Sequence, residues 1–151
     1  MQHKELKMHD KLENSLGFKI SQTANRLNYQ FVQLLSQYEI APEQRATLEI
    51  ISKDNEVSQT KIASILGKNK TTICRSLNSL EKKGLIIRDC QIKDKRVNII
   101  KLTQKGKDVL QASQTCVSEF RKRINSNLEE KEINKLFELL NKVSNTIKED
   151  F

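Results

Sequence analysis

Apolar side chains recur every three or four positions over most of this chain, a spacing that places them on one face of a helix. It predicts a long first helix over residues 16–38 and a shorter second helix over residues 42–53, which Pro42 opens at the first helical position. Further along, it predicts a fifth helix over residues 103–124 and a sixth over residues 127–147. The chain is therefore expected to be mainly helical.

Two shorter helices are predicted between these, each bounded by residues that favour helix ends. Ser58 can cap the start of the third helix, and Gly67 suits the left-handed backbone that follows its end. Asn69 can cap the fourth helix, and Gly84 closes it after two lysines. Two short helices joined by a turn that contains glycine form the helix-turn-helix pattern.

The period changes from helical to strand-like after the fourth helix. Runs rich in β-branched residues cover 85–87, 90–92 and 97–102, and the polar segment 93–96 separates the last two. This arrangement predicts a hairpin with a charged tip, which forms a wing beside the helix-turn-helix. The predicted fold class is mainly α with a small β-hairpin wing, a winged helix-turn-helix flanked by amino- and carboxy-terminal helices.

The charge of the chain is concentrated in the same region. The 151 residues include 27 Lys and Arg against 19 Asp and Glu, a net charge of +8. Residues 53–107 hold 14 basic and 5 acidic residues, whereas the other 96 residues hold 13 and 14. A solvated basic face would explain this surplus, but its concentration on the predicted helix-turn-helix and wing favours contact with a polyanion such as DNA.

The fourth helix carries a face suited to reading DNA. Its buried side is marked by Ile73, Leu77 and Leu80 at helical spacing. The other side carries short polar side chains and cations: Thr71, Thr72, Arg75, Asn78 and Lys82. None of these is acidic, and the planar fork of Arg75 suits the O6 and N7 acceptors of guanine. We predict that these residues, Lys82 apart, contact DNA from a recognition helix; an ordinary solvated helix is the alternative.

The starts of the third and fourth helices offer free backbone N–H groups to phosphate. Lys70 adds a point charge at the start of the fourth helix, and Ser58 and Gln59 occupy the start of the third. We predict that these three residues contact the DNA backbone, although helix capping alone would also account for Ser58 and Gln59.

The predicted wing tip supplies a second set of DNA contacts. Arg96, with Lys95 beside it, is spaced to enter a minor groove, where narrow A·T-rich sequence attracts arginine. Asp94 is expected to support the wing by a charge-assisted hydrogen bond to Arg96 or to the turn, and not to contact DNA.

Other classes of site find little support in the sequence. The longest uncharged apolar runs are only a few residues long, so we expect no bilayer span and a cytoplasmic protein. Cys74, Cys90 and Cys116 lack the spacing of a zinc site or a disulfide framework, and His3 and His9 lie in a start predicted to be disordered. No motif indicates an enzyme. We therefore expect no catalytic residue, no metal and no cofactor.

The first, fifth and sixth helices carry broad apolar stripes outside the compact helix-turn-helix and wing. A symmetric second copy would cover them, which predicts a homodimer. The chain divides accordingly into a disordered start at 1–12, a winged helix-turn-helix DNA-binding domain at 41–107, and helical dimerisation regions at 13–40 and 108–151. The predicted dimerisation residues are Leu16, Ile20, Ile133, Leu136, Leu140, Val143 and Ile147.

Together these segments resemble the MarR (multiple antibiotic resistance regulator) family of winged-helix transcription factors over most of the chain. The resemblance is carried by Pro42-Glu43-Gln44, by the segments 67–75, 80–86 and 102–106, and by Asp94-Lys95-Arg96. It implies a homodimer whose terminal helices interlock and whose two winged domains bind a pseudo-palindromic operator. It also implies, in most members, repression that a small molecule or an oxidant relieves.

Two residues depart from the family pattern. Ala41 stands where a hydroxyl cap usually precedes Pro42, which should weaken that helix start by about 1 kcal/mol or less. Cys74 replaces the usual Ser or Thr in the recognition helix. We hypothesise a redox switch centred on Cys74, because a modified thiol there would meet the DNA.

One alternative function is a winged-helix module that binds another protein and does not read DNA. Such a module would be expected to carry acidic or apolar residues on the outer face of the fourth helix and on the wing. This sequence has Arg75, Lys82, Lys95 and Arg96 there instead. It therefore favours a dimeric, sequence-specific DNA-binding transcriptional regulator, which we expect to be a repressor.

Overall fold

The computed structural model describes residues 12–54, 56–90 and 98–148. The chain forms two compact units, one up to Ser113 and one from Gln114 onwards. The first unit contains the helices α1 (Leu16–Leu35), α2 (Pro42–Lys53), α3 (Gln59–Leu66), α4 (Lys70–Lys82) and α5 (Gln104–Ala112), a 3-10 turn (Ser36–Tyr38) and the strands β1 (Ile86–Cys90) and β2 (Asn98–Leu102). The second contains α6 (Gln114–Asn125) and α7 (Glu130–Ile147). The predicted class, mainly α with a small hairpin, is confirmed.

Side-chain caps fix the starts of α3 and α4, as the sequence predicts. Oγ of Ser58 accepts from the N–H of Lys61 at 3.2 Å, and Oδ1 of Asn69 accepts from the N–H of Thr72 at 2.8 Å. Between these caps, Gly67 adopts φ +61°, a left-handed conformation in which a side chain would be strained. The predicted helix-turn-helix is therefore confirmed.

The core of the first unit contains the apolar stripes of α2, α3 and α4. Leu48, Ile62, Ile73, Leu77 and Leu80 are all fully buried. Each such side chain stabilises the fold by about 1.5–3 kcal/mol relative to its exposed state. Because α4 is held through its apolar side, its opposite side is left to solvent.

The wing packs on the same core through one face of its hairpin. β1 and β2 pair in antiparallel fashion with Ile86 opposite Leu102, and both Ile86 and Ile100 are buried. The N–H of Ile100 donates to the carbonyl of Val57 at 3.3 Å, which links β2 to the segment that leads into α3. The predicted hairpin tip at 93–96 lies outside the described residues.

The start of α5 lies directly against the backbone that follows α4. Oγ1 of Thr103 accepts from the N–H of Gly106 at 3.0 Å and donates to the carbonyl of Gly84 at 2.6 Å. A Cβ atom at position 106 would collide with the carbonyl oxygen of Leu85. The motif over residues 102–106 therefore needs glycine at its end, because two stretches of backbone meet there.

The prediction of one fifth helix over residues 103–124 is wrong, because a turn at Ser113 divides it into α5 and α6. Ser113 is fully buried, and its Oγ donates to the carbonyl of Val109 at 2.9 Å and accepts from Nε of Arg45 at 2.8 Å. Arg45 is itself buried and pairs with Glu49 at 2.9 Å. A serine that bonds to the backbone of the preceding turn competes with regular helix, and the buried arginine fixes it in that geometry.

The second unit has a helical pattern with little buried surface. The N–H of Glu129 donates to Oε2 of Glu132 at 2.8 Å, and these acidic residues start α7 as predicted. Val117 is the buried residue of α6. In α7, which lies wholly within the described residues, no side chain is buried.

Candidate nucleic-acid interface

The start of α3 is connected to the first turn of α4. Nε2 of Gln59 donates to the carbonyl of Lys70 at 3.3 Å, and the half-buried Ser58 caps α3. Both residues therefore have local structural roles at the place where a phosphate would approach the helix starts. Their direct contact with DNA stays a prediction.

The solvent side of α4 brings together most of the residues predicted to read DNA. Lys70, Thr71, Arg75, Asn78 and Lys82 are all exposed. The side chains of Lys70, Arg75 and Lys82 form no ion pair or hydrogen bond within the described part of the chain. Their charges are therefore available to phosphates or to acceptors on base edges.

Other cations of the helix-turn-helix are paired within the chain. Nζ of Lys61 lies 2.5 Å from Oδ2 of Asp54, and Nζ of Lys68 lies 3.9 Å from Oε2 of Glu43. Exposed pairs of this kind contribute little stability. They do, however, neutralise these two lysines, whereas the cations on the solvent side of α4 have no partner among the described residues.

The pair between Asp54 and Lys61 also connects the end of α2 to α3. The pKa of Asp54 is lowered from its ordinary value of 3.8, first by the hydrogen bond from Lys61 and then by the backbone N–H of Glu56, which donates at 3.0 Å. Because the carboxyl stays ionised to a lower pH than usual, the ion pair persists further into the acidic range than it would with an ordinary aspartate.

Gln44 connects the start of α2 to the end of α4. Its Nε2 donates to Oγ of Ser79 at 3.1 Å, and its Oε1 accepts from the N–H of Ala41 at 3.1 Å and from Nζ of Lys83 at 3.2 Å. The Ala41 side chain cannot cap the helix, but Gln44 satisfies the Ala41 N–H and so provides half of the usual reciprocal cap.

Asn78 is held by Arg88, a residue of the wing that is not among the residues predicted from the sequence. Nη2 of Arg88 in β1 donates to Oδ1 of Asn78 at 2.6 Å, and Nε of Arg88 lies 3.7 Å from Oε2 of Glu81. The available signal was an arginine in a strand-like run of isoleucines, ten positions after Asn78. Sequence alone could not show that β1 passes beside α4.

Of the other residues predicted to contact DNA or to act as a redox switch, the structure describes only some. Thr72 is half-buried, and its N–H is used by the cap from Asn69. Cys74 is a free, half-buried thiol whose Sγ lies 3.9 Å from Nδ2 of Asn78. The predicted wing residues Asp94, Lys95 and Arg96 lie outside the described residues. Their DNA contacts and a redox role for Cys74 stay predictions.

The predicted dimerisation residues leave apolar surface open in the single chain. Leu16 in α1 is 61% exposed and Ile147 in α7 is 56% exposed. Leu136 and Leu140 are also exposed, whereas Ile20, Ile133 and Val143 are half-buried. Phe137, which was not predicted, is 58% exposed and enlarges the apolar side of α7.

Among residues 12–54, 56–90 and 98–148, no helix has the length and apolar character needed to span a membrane. The same residues contain no cluster of His, Cys, Asp and Glu that could hold a metal ion.

Comparison with known proteins gives the family and the fold. The family described as "Transcriptional regulator SarA/Rot" matches residues 30–113, more than half of the chain. The chain is similar to S. aureus MepR in a DNA complex, with 27% identity and a TM-score of 0.79 over 89% of this chain and 98% of that one.

Two further solved structures give the same result. A MarR/EmrR family transcriptional regulator from Acinetobacter sp. ADP1 is 28% identical, with a TM-score of 0.80 over 87% of this chain and 93% of that one. A mutant E. coli MarR complexed with operator DNA is 25% identical, with a TM-score of 0.76 over 85% and 92%. The resemblance to the MarR family that the motifs predict is confirmed.

Proposed function

The chain belongs to the SarA/Rot family of transcriptional regulators, and we propose that it acts as a homodimeric repressor that binds a pseudo-palindromic DNA operator. The similar proteins MepR and MarR were crystallised with DNA. A regulator of this kind works by binding and not by catalysis, needs no cofactor, and acts in the cytoplasm. The alternative is a winged-helix module that binds only protein, which selection from random duplex DNA would reveal by recovering no inverted repeat.

The observation that carries the proposal is the solvent side of α4. Lys70, Arg75 and Lys82 project from it without a partner in the described part of the chain. A free arginine can donate two hydrogen bonds to O6 and N7 of guanine in the major groove, and a lysine at a helix start can neutralise phosphate. The apolar side of the same helix is fully buried, so the cationic side is presented on a rigid support.

The proposed contacts divide into those that read bases and those that position the backbone. We assign base edges or nearby phosphates to Arg75, Asn78, Thr71 and Thr72. The DNA backbone is assigned to Lys70, Ser58 and Gln59. The minor groove is assigned to Lys95 and Arg96, with Asp94 as their support. Base contacts supply sequence preference, whereas backbone contacts supply affinity that falls with salt.

The apolar side of α7 supports the proposed homodimer. Leu136, Phe137 and Leu140 are exposed in the single chain, although clustered leucine and phenylalanine favour burial. A two-fold axis would cover the same surface in both copies and would place two α4 helices about one DNA turn apart. Leu16 and Ile20 of α1 and Ile133, Val143 and Ile147 of α7 are proposed to complete the interface.

A small-molecule effector is the last part of the proposal. The first unit contains a cavity of about 340 Å³ lined by Tyr38, Glu39, Lys83, Leu85, Lys105 and Val109. Nζ of Lys83 donates to the carbonyl of Glu39 at 2.6 Å, and Nζ of Lys105 donates to the carbonyl of Lys83 at 2.9 Å. A small aromatic carboxylate would compete for these ammonium groups at the end of α4 and would lower operator affinity. Benzoate should weaken DNA binding of the wild type more than that of Lys105→Ala; an equal response would argue against this site.

Selection of bound sequences from random duplex DNA tests the proposed function. We expect an inverted repeat whose half-site centres lie about 10 base pairs apart. Arg75→Ala should relax the preference within each half-site, whereas Lys131→Ala, which removes the same charge from α7, should not. If selection recovers no inverted repeat, or if binding ignores added salt, the chain is not a sequence-specific regulator and the protein-binding alternative gains support.

A further inference from the structure

Asn78 presents mainly its amide nitrogen to outside partners, because its amide oxygen is already bonded to a charged group within the chain. Nη2 of Arg88 lies 2.6 Å from Oδ1 of Asn78. Since arginine can only donate, the amide must turn its oxygen towards the guanidinium; the opposite orientation would place two donors together. Nδ2 of Asn78 is left with Sγ of Cys74 at 3.9 Å, a weak acceptor that a stronger one can replace.

Arg88 is itself fixed in position. Its side chain is 21% exposed, and its Nε lies 3.7 Å from Oε2 of Glu81 on the same helix as Asn78. Pairing with Ile100 in the antiparallel ladder sets its backbone. The hydrogen bond from Nη2 of Arg88 to Oδ1 of Asn78 is charge-assisted and therefore stronger than a neutral one, so the amide is oriented before any DNA is bound.

We propose that Arg88 determines specificity by fixing Asn78 as a hydrogen-bond donor, an inference that rests on the proposed function. An unconstrained asparagine selects adenine through two bonds, with Oδ1 accepting from N6 and Nδ2 donating to N7. Arg88 already uses one of the two lone pairs of Oδ1 and places a positive charge beside the position that the N6 donor of adenine would take, so Oδ1 becomes a poor acceptor for N6. Nδ2 alone donates to acceptors such as O6 or N7 of guanine, O4 of thymine, or a phosphate. Asn78 therefore reads an acceptor and gives no preference for adenine.

Exchange of Asn78 tests the donor role with little risk to the fold, because this side chain is exposed. Selection with Asn78→Ala identifies the half-site positions that depend on Asn78. Asn78→Asp keeps the shape but offers only acceptors, so it should lose the wild-type preference at those positions or change it to cytosine, whose N4 donates. An Asn78→Asp protein that keeps the wild-type preference would overturn the proposal, as would an unchanged preference in Asn78→Ala.

Removal of Arg88 tests the constraint itself. In Arg88→Met the amide oxygen is freed, and adenine should gain about tenfold at the positions that depend on Asn78. The double variant Arg88→Met/Asn78→Ala should lose this gain, and Lys101→Met, which removes a charge from β2, should not produce it. An Arg88→Met protein without the gain, or a double variant that retains it, would contradict the proposal. If Arg88→Met fails to fold, the wild-type preference at the positions that depend on Asn78 decides, because adenine at those positions would contradict the proposal.

The wild-type selection separates this inference from the function on which it rests. Without an inverted repeat from the wild type, the proposed function fails. With an inverted repeat whose preferences respond to Arg75→Ala but not to Asn78→Ala, the function stands and the role of Arg88 is refuted.

Discussion

The two units of the chain differ in where their apolar side chains lie. In the first unit, the stripes of α2 and α4 are buried, and Leu48, Ile73 and Leu77 have no exposed area. In α7 no side chain is buried, and Phe137 is more than half exposed. The helix-turn-helix and wing of the first unit therefore complete their core within one chain, whereas α7, like α1 of the first unit, has an apolar surface that we propose a second copy covers.

The two units also differ in whether their charged side chains have partners within the chain. The solvent side of α4 carries cations without partners in the described part of the chain, whereas α7 pairs two of its lysines with its own Glu138. Nζ of Lys135 and Nζ of Lys142 lie 3.0 and 2.9 Å from the carboxylate of Glu138, and their hydrogen bonds, that of Lys142 first, lower the pKa of Glu138. The solvent side of α4 thus lacks an anionic partner, and the apolar side of α7 lacks an apolar one.

The largest expected effect is loss of the dimer when charge enters the apolar side of α7. The double variant Leu136→Glu/Leu140→Glu would bury four carboxylates per dimer, which should weaken association by about 5 kcal/mol or more. Sedimentation equilibrium should then find a monomer. The control Asn134→Glu adds charge elsewhere on α7 and should stay dimeric. A double variant with unchanged mass would contradict the proposed interface.

Truncation of a leucine in each unit, the buried Leu77 of the first and the exposed Leu140 of the second, should have different effects on stability. Leu77→Ala should destabilise the first unit by about 2–5 kcal/mol, by the same amount at every protein concentration, because its cavity lies within one chain. Leu140→Ala should give a loss that shrinks as protein concentration rises. Thermal melts over a range of concentrations check this, with the exposed Ile65→Ala as a nearly neutral control. Identical concentration dependence in both variants would remove the proposed difference between the units.

Two cations of α4 should differ in what they contribute to DNA binding. Arg75→Ala should cost about 1–3 kcal/mol on the selected site and relax its base preference, whereas Lys70→Ala should weaken all sequences alike and reduce the salt slope by about 1. Fluorescence anisotropy on the selected site and on a scrambled duplex at several salt concentrations measures both. Equal losses on both duplexes for Arg75→Ala would assign it to the backbone.

The smallest expected effect is on the acid stability of the first unit. Because the pKa of Asp54 is lowered in the folded chain, its stabilisation is fully present above 3.8 and is lost as the pH falls through the lowered value. Asp54→Asn should therefore reduce the dependence of Tm on pH in that acidic range and change it little at neutral pH. Glu119→Gln, an exposed carboxylate in α6, is the control. A full acid dependence in Asp54→Asn would show that the pair with Lys61 is unimportant.

The parts of the fold that depend on neighbouring residues could be predicted from the sequence. Ser58, Gly67 and Asn69 set the ends of α3 and α4 through contacts within four positions along the chain. The buried stripe of α4 likewise follows from its spacing. The exposed face of α4 could be predicted as well, because it consists of the positions opposite the buried stripe.

The parts that depend on distant residues could not be predicted. The break at Ser113 depends on Arg45, which lies 68 positions earlier. The bond between Arg88 and Asn78 depends on how β1 passes α4. In both cases a side chain that looks ordinary in the sequence becomes important through a partner that only the tertiary structure supplies.

The most direct test of the account is the number of chains bound to one operator. Sedimentation equilibrium of the protein with a duplex that carries the selected inverted repeat should find two chains per duplex. A duplex with a single half-site should bind far more weakly at the same salt concentration, because one α4 would lose its half-site. One chain per duplex, or equal affinity for the full and half sites, would contradict the proposal that α4 reads DNA while α1 and α7 form the dimer.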